Sequence, residues 1–255
     1  MNFQGKTIVV TGVSSGIGAE AARFLRLHGA RVVGVDRNDP SITLDAFVKA
    51  DLSEQAAVDA AFRQLPERFD ALANIAGVPG TAPADLVARV NYLGLRHLSA
   101  RALERLPKGG AIVNVSSILG AEWPARLASH KALAETPGFE AGLAFLARNP
   151  VPQETCYQYF KEALIVWTIA QSQKWFLEHG VRMNCVAPGP VFTPILGDFV
   201  QMLGEERVRK DAHRMKRPAL ADEIAPVVAF LCAEESRWIS GVNLPVDGGL
   251  ASTYL

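Results

Sequence analysis

Seven short runs rich in β-branched and other apolar residues recur along the chain, separated by stretches with helical periodicity. No other feature restricts the fold as much. The runs are Thr7 to Thr11, Arg31 to Asp36, Phe47 to Asp51, Ala71 to Ile75, Ala111 to Ser116, Val181 to Ala187 and Val242 to Val246. Most are apolar on both faces, as strands covered by helices on two sides must be. Strands alternating with helices in this way build a parallel sheet with crossover helices, so the expected class is α/β. The first helix is marked by Ile17, Ala21, Phe24, Leu25 and His28 on one face, with Gly29 stopping it. For the helix near 222–233, Asp222 is the expected N-cap, which would place Pro226 in the first turn.

No repeat, low-complexity segment or Gly/Ser linker divides the 255 residues, and one domain is expected. Two regions depart from simple alternation. Residues 120–156 are Ala-rich and punctuated by Thr136-Pro137-Gly138 and Asn149-Pro150, a pattern of two short helices joined by a turn. Residues 189–218 form a long crossover with an amphipathic middle, the usual composition of a lid over a site.

Charge and cysteine usage exclude several functions. With 26 basic and 26 acidic side chains the formal charge is zero, which leaves no broad positive field for nucleic acid or an anionic membrane surface. Apolar runs fall far short of the roughly 20 residues that cross a bilayer. The segment Met1 to Lys6 lacks a signal-peptide pattern, so a cytoplasmic location is expected. Cys156, Cys185 and Cys232 show no Cys-x-x-Cys pair and the five histidines no ligand spacing, so no metal site is expected.

The first strand ends in Thr11-Gly12-Val13-Ser14-Ser15-Gly16-Ile17-Gly18 and leads directly into a helix. Glycines there permit a tight turn and close backbone approach, while the helix N-terminus offers free N–H groups to a pyrophosphate. Asp36 closes the second strand 18 positions after Gly18. A carboxylate at that point accepts ribose hydroxyls and repels a 2′-phosphate, which favours NAD over NADP; a surface carboxylate is the alternative reading, and Arg37 beside it pulls the other way. Farther along, Tyr157 and Lys161 stand one helical turn apart on one face. A phenol is a poor base at neutral pH, and a neighbouring ammonium is expected to favour its ionised form.

These motifs together resemble the short-chain dehydrogenase/reductase family. The resemblance rests on Thr11-Gly12-x-x-x-Gly16-x-Gly18, Asn74-Ile75-Ala76-Gly77, Asn91 in Val90-Asn91-Tyr92, Ser116-Ser117, Tyr157-x-x-x-Lys161, Pro188-Gly189 and Val246-Asp247-Gly248-Gly249, in that order. It implies a single doubly wound Rossmann-type domain with a mainly parallel seven-stranded sheet, helices on both faces and a helical insertion near 120–156. It further implies that Ser117 rather than Ser116 bonds the substrate oxygen, that Tyr157 exchanges the hydroxyl proton, and that Lys161 lowers its pKa and holds the nicotinamide ribose. Asn91 would anchor a relay water. Gly12, Ser14, Ser15, Gly16, Ile17 and Gly18 would bind the pyrophosphate side and Asp36 the adenosine ribose. Asp51 and Leu52 would border the adenine; Asn74, Ala76 and Gly77 would shape the floor; Pro188, Gly189, Val191 and Thr193 would lie at the carboxamide.

The 40-residue separation of Ser117 and Tyr157 departs from the family's usual dozen. Similar insertions in a bacterial hydroxysteroid dehydrogenase/carbonyl reductase branch disturb the usual tetramer contact, and the resemblance implies a homodimer or another homo-oligomer. Trp123, Phe139, Leu143 and Leu146 of the insertion belong to an inert elaboration, to a dimer contact or to a pocket wall. Leu119, Trp123, Tyr159, Phe192, Ile195 and Met202 are the expected substrate wall, apolar enough for a small hydrophobic alcohol or carbonyl compound. Strings such as Glu122-Trp123-Pro124-Ala125-Arg126 and Cys156-Tyr157-Gln158-Tyr159-Phe160-Lys161 resemble bacterial enzymes that oxidise an aromatic allylic alcohol such as coniferyl alcohol. A hydroxysteroid dehydrogenase/carbonyl reductase is the alternative, and a dinucleotide-binding sensor without turnover the alternative of another class.

Overall fold

The computed structural model describes residues 1–254. Its strands are β1 (Thr7–Thr11), β2 (Arg31–Asp36), β3 (Ala46–Lys49), β4 (Ala71–Asn74), β5 (Ala111–Val115), β6 (Arg182–Pro188), β7 (Val191–Phe192), β8 (Ala219–Leu220) and β9 (Asn243–Val246). Seven form one sheet in the order β3-β2-β1-β4-β5-β6-β9, with every neighbouring pair parallel. The expected α/β, Rossmann-type architecture is the observed one, and each expected run lies on a strand of this sheet. The strands β7 and β8 pair with each other outside it, through Val191 with Ala219 and Phe192 with Leu220.

The helices are α1 (Gly16–Leu27), α2 (Gln55–Gln64), α3 (Ala84–Ala88), α4 (Leu95–Ala102), α5 (Leu127–Ala134), α6 (Phe139–Arg148), α7 (Cys156–His179), α8 (Leu196–Leu203), α9 (Glu205–Met215) and α10 (Ala221–Cys232). Successive strand residues point to opposite faces, so each strand feeds two cores. Val9, Val33, Leu72 and Ile112 pack with Phe62 of α2, Leu98 of α4 and Phe160 of α7. Ile8, Val10, Val32 and Val113 pack with Leu25 of α1 and with Ile224 and Val228 of α10. Both faces being dry explains the apolar runs.

Gly29 follows α1 at φ +94°, a left-handed conformation suited to glycine. The start of α10 corrects the expectation for Asp222. The helix begins at Ala221, and the Glu223 carboxylate accepts the Leu220 N–H at 2.8 Å, so the cap is supplied from inside the first turn. Pro226 is therefore interior to the helix and not in its first turn.

The 120–156 segment contains α5 and α6, joined by the turn at Thr136-Pro137-Gly138. Arg96 of α4, only 6% exposed, ties it down: its guanidinium donates to the carbonyls of Leu133, Thr136 and Gly138. A second tie is Glu162 of α7, fully buried, which accepts from Arg126 and bonds His130 Nε2 at 2.7 Å. Phe139 is buried, and Trp123, Leu143 and Leu146 pack half-buried on the core beneath them. The four do not line the cleft described below, which removes the pocket-wall alternative.

Candidate active site

A cleft of about 340 Å³ opens at the C-terminal ends of the parallel strands. This is where an open parallel sheet offers loop backbone and helix N-termini together, beside the point where strand order reverses. Here β1 lies between β2 and β4. Gly12 follows β1, Asp36 ends β2, Ala76 and Gly77 follow β4, Ser116 and Ser117 follow β5, and Pro188 ends β6; all line the cleft.

The glycine loop is shaped to leave space. A Cβ at Gly12 would stand 2.7 Å from the Ala76 nitrogen, and one at Gly18 2.0 Å from the Gly12 carbonyl oxygen. Gly12 and Gly16 both hold positive φ. The N-cap Ser15 makes no side-chain capping bond, so the first N–H groups of α1 face the cleft without an internal partner. Asp36 is 8% exposed and accepts the Ser14 N–H at 3.0 Å through Oδ2 and the Asn38 N–H at 2.9 Å through Oδ1. Each oxygen keeps lone-pair capacity toward the cleft. These cradles suit a dinucleotide: backbone donors for a pyrophosphate, then a fixed carboxylate at the adenosine end.

Ser14, Ser15, Ile17, Asp51, Leu52, Gly189, Val191 and Thr193 line the same cleft. Asn74 does not. It is 1% exposed and donates to Ser99 Oγ at 2.8 Å and Asn114 Oδ1 at 2.9 Å, supporting the floor from beneath. Asn91 is also behind the wall, in a six-residue π-helical turn between α3 and α4. Its Oδ1 accepts the Val78 N–H at 2.8 Å and its Nδ2 donates to the Val78 carbonyl at 2.9 Å. Oδ1 retains a second lone pair.

Tyr157, Lys161, Ser116 and Ser117 meet in the cleft. The Lys161 ammonium donates to the Val115 carbonyl at 2.7 Å and lies 5.5 Å from the centre of the Tyr157 ring. Burial pulls its pKa down to about 8. Burial also pushes the Tyr157 phenol well above the usual tyrosine range, against the opposing pull of the Ser117 hydroxyl. The expected lowering by Lys161 is thus not the net result: desolvation of the phenolate outweighs the Ser117 hydrogen bond that opposes it. Ser117 is extended, and its Oγ accepts the Leu119 N–H at 3.2 Å, which orients it at the start of the next turn. Ser116 Oγ is engaged inside the sheet, 3.0 Å from the Val186 carbonyl and 2.8 Å from Asn243 Oδ1.

The outer wall differs from the expected one. Leu119 and Ile195 line the cleft, whereas Trp123, Tyr159, Phe192 and Met202 do not. Tyr159 turns to the opposite side of α7 and bonds Ser129 Oγ, Phe192 is 68% exposed, and Met202 packs over Gly80. Sequence reasoning missed Phe199 of α8, whose ring meets that of Tyr157 edge-on at 5.1 Å, and Asp211 of α9. The amphipathic pattern of the 189–218 crossover was the signal for Phe199; Asp211 had none.

The short chain dehydrogenase model matches residues 6–132, and that of the enoyl-(acyl carrier protein) reductases matches residues 125–251. The coniferyl-alcohol dehydrogenase of Pseudomonas sp. (strain HR199) is 67% identical over 255 residues, covering all of both chains. The chain belongs to the short-chain dehydrogenase family. It is an oxidoreductase, not a binding protein built on the same fold. The 3-alpha-hydroxysteroid dehydrogenase/carbonyl reductase of Comamonas testosteroni is 33% identical, with 95% of each chain covered. Among solved structures, the 3-alpha-hydroxysteroid dehydrogenase from Pseudomonas sp. B-0831 complexed with NADH superimposes with a TM-score of 0.80 at 30% identity, covering 98% of each chain. Among the described residues no helix is long and apolar enough to cross a membrane.

Proposed function

We propose that this chain is an NAD-dependent dehydrogenase of aromatic allylic alcohols such as coniferyl alcohol, interconverting alcohol and aldehyde. The observation that carries the reading is the full-length identity of 67% to a coniferyl-alcohol dehydrogenase, twice that to the hydroxysteroid relative. Asp36 at the adenosine end, with both oxygens already fixed by backbone donors, supports NAD over NADP.

Gly12, Ser14, Ser15, Gly16, Ile17 and Gly18 hold the pyrophosphate, Asp36 the adenosine ribose, Asp51 and Leu52 the adenine, and Pro188, Gly189, Val191 and Thr193 the carboxamide. Ala76 and Gly77, braced by Asn74, form the floor. When bound, the dinucleotide supplies the two-electron acceptor for the oxidation. Tyr157 removes the hydroxyl proton, Ser117 fixes the oxygen, and Lys161 holds positive charge beside both and orients the ribose. Asn91 keeps Val78 and Gly77 against Lys161 and offers Oδ1 to a relay water. Residues 189–218 act as the lid of a single domain, in a homodimer or another homo-oligomer working in the cytoplasm.

A turnover panel tests the reading: coniferyl alcohol, a 3-hydroxysteroid and a simple aliphatic alcohol, each with NAD and with NADP. The expected result is the highest kcat/KM for coniferyl alcohol with NAD. Preference for the steroid, or for NADP, would overturn the corresponding half of the proposal.

A further inference from the structure

Thr81 Oγ1 donates to Asp198 Oδ1 at 2.7 Å, a side-chain bond that joins the loop after β4 to the lid helix α8, 117 residues farther along the chain. None of the roles above uses either residue. The loop end of this bond is held from two sides. Asn91 engages both the N–H and the carbonyl of Val78. Gln153, just before α7, donates from Nε2 to the Gly80 and Ala82 carbonyls at 2.8 Å each and accepts the Ala84 N–H through Oε1 at 2.9 Å. Gly80 and Thr81 therefore form a fixed step between the Tyr157 end of α7 and the lid. Helix α8 meets that step with one face and the cleft with another. Asp198 and Met202, one helical turn apart, lie on Thr81 and Gly80. The seat is close enough to require glycine: a Cβ at position 80 would collide with Met202 Sδ on one side and stand 2.9 Å from Tyr157 Cβ on the other. Leu196, Phe199 and Leu203 line the cleft, with the Phe199 ring edge-on to Tyr157 at 5.1 Å. The docking face thus sets how near the lining face comes to the reacting phenol.

We propose that the Thr81–Asp198 bond is the latch of the lid, which makes Thr81 and Asp198 positioning residues for the reaction and Gly80 the seat on which α8 closes. With the bond made, Phe199 completes the apolar wall over Tyr157 and water is kept from the reacting atoms. With it broken, α8 lifts from Gly80, and cofactor and alcohol exchange with solvent. The strength of the bond suits a gate. A hydroxyl donating to a carboxylate is charge-assisted, yet this pair lies at the surface, where water competes for both groups. The lid is biased toward closure and still opens in each turnover. The inference rests on the reading of residues 189–218 as a lid and names what holds it shut.

The test is a double-mutant cycle of Thr81→Val, Asp198→Ala and the two combined, with Thr81→Ser as the conservative variant that keeps the donor. One readout is the rate at which trypsin cuts the ligand-free enzyme after the exposed Arg207, Arg209 and Lys210 of α9, which requires the lid to open locally. The others are the rate of NADH release, followed by its fluorescence, and the KM for coniferyl alcohol. Each single variant should be cut about 3- to 10-fold faster than wild type and release NADH faster by a similar factor, with the alcohol KM raised to match. The double variant should do no more than either single one, and Thr81→Ser should behave as wild type. Thr81→Val cut at the wild-type rate, or a double variant whose effect is the product of the single ones, overturns the latch. Faster cutting with NADH release and alcohol KM unchanged overturns the lid reading together with the positioning role. Wild-type enzyme that does not oxidise coniferyl alcohol overturns the substrate reading alone, because neither tryptic cutting nor NADH release uses the alcohol.

Discussion

The Lys161 ammonium donates to the Val115 carbonyl at 2.7 Å, pinning the second turn of α7 to the end of β5 beneath the cleft. The bond fixes the lysine where burial opposes its charge, with a pKa of about 8 in the fold against 10.5 for a free lysine. Between those values the unfolded chain binds more protons than the folded one, so stability rises with pH through that window. Below pH 8 the full cost of the buried charge is present. At roughly 1.4 kcal/mol per pH unit the gain is on the order of 2–3 kcal/mol. Urea unfolding of the ligand-free protein should show wild type gaining this much on Lys161→Met between pH 7.5 and 10.5; a constant difference would show the lysine to be solvated.

Asp36→Ala should shift the preference of the enzyme toward NADP by at least about tenfold in kcat/KM, because the carboxylate is the group that opposes a 2′-phosphate. The variant also frees the Ser14 and Asn38 N–H groups, which become donors for that phosphate. Unchanged discrimination would remove Asp36 from cofactor selection.

Glu162 anchors the 120–156 segment. Arg126 and His130 hold its carboxyl below the usual glutamate range despite burial. A lowered acid pKa contributes stability above the unfolded value of 4.5, and that contribution is lost as pH falls through the folded value. Glu162→Ala strands the buried His130 and should destabilise the protein by about 2–4 kcal/mol near pH 7. In chemical denaturation the deficit should shrink only below pH 4.5, as the carboxyl protonates. A variant as stable as wild type at pH 7 would mean that the triad holds nothing in place.

The sheet was legible because a parallel strand buried on two faces has little choice of composition. Val9 serves one core while Ile8 and Val10 serve the other. The glycine loop, Ser117, Tyr157 and Lys161 were legible because their chemistry needs particular residue types at particular spacings. What escaped depends on long-range geometry. Tyr159 reads as a pocket aromatic only until the two-residue step from Tyr157 carries it around the helix to Ser129. The pair β7 and β8 is too short to leave a pattern, and Glu223 capping Leu220 from three residues downstream hides the start of α10. The net direction of the Tyr157 pKa depends on burial, which spacing to Lys161 does not encode.

Proton transfer by Tyr157 is the step on which the account depends, and Tyr157→Phe tests it most directly. The ring, its contact with Phe199 and the surrounding cleft remain, while the acid–base group is removed. The prediction is a fall in kcat for coniferyl alcohol of about 10²–10⁴-fold with the dissociation constant of NAD changed by less than about threefold. Turnover by Tyr157→Phe at the wild-type rate would contradict the assigned chemistry.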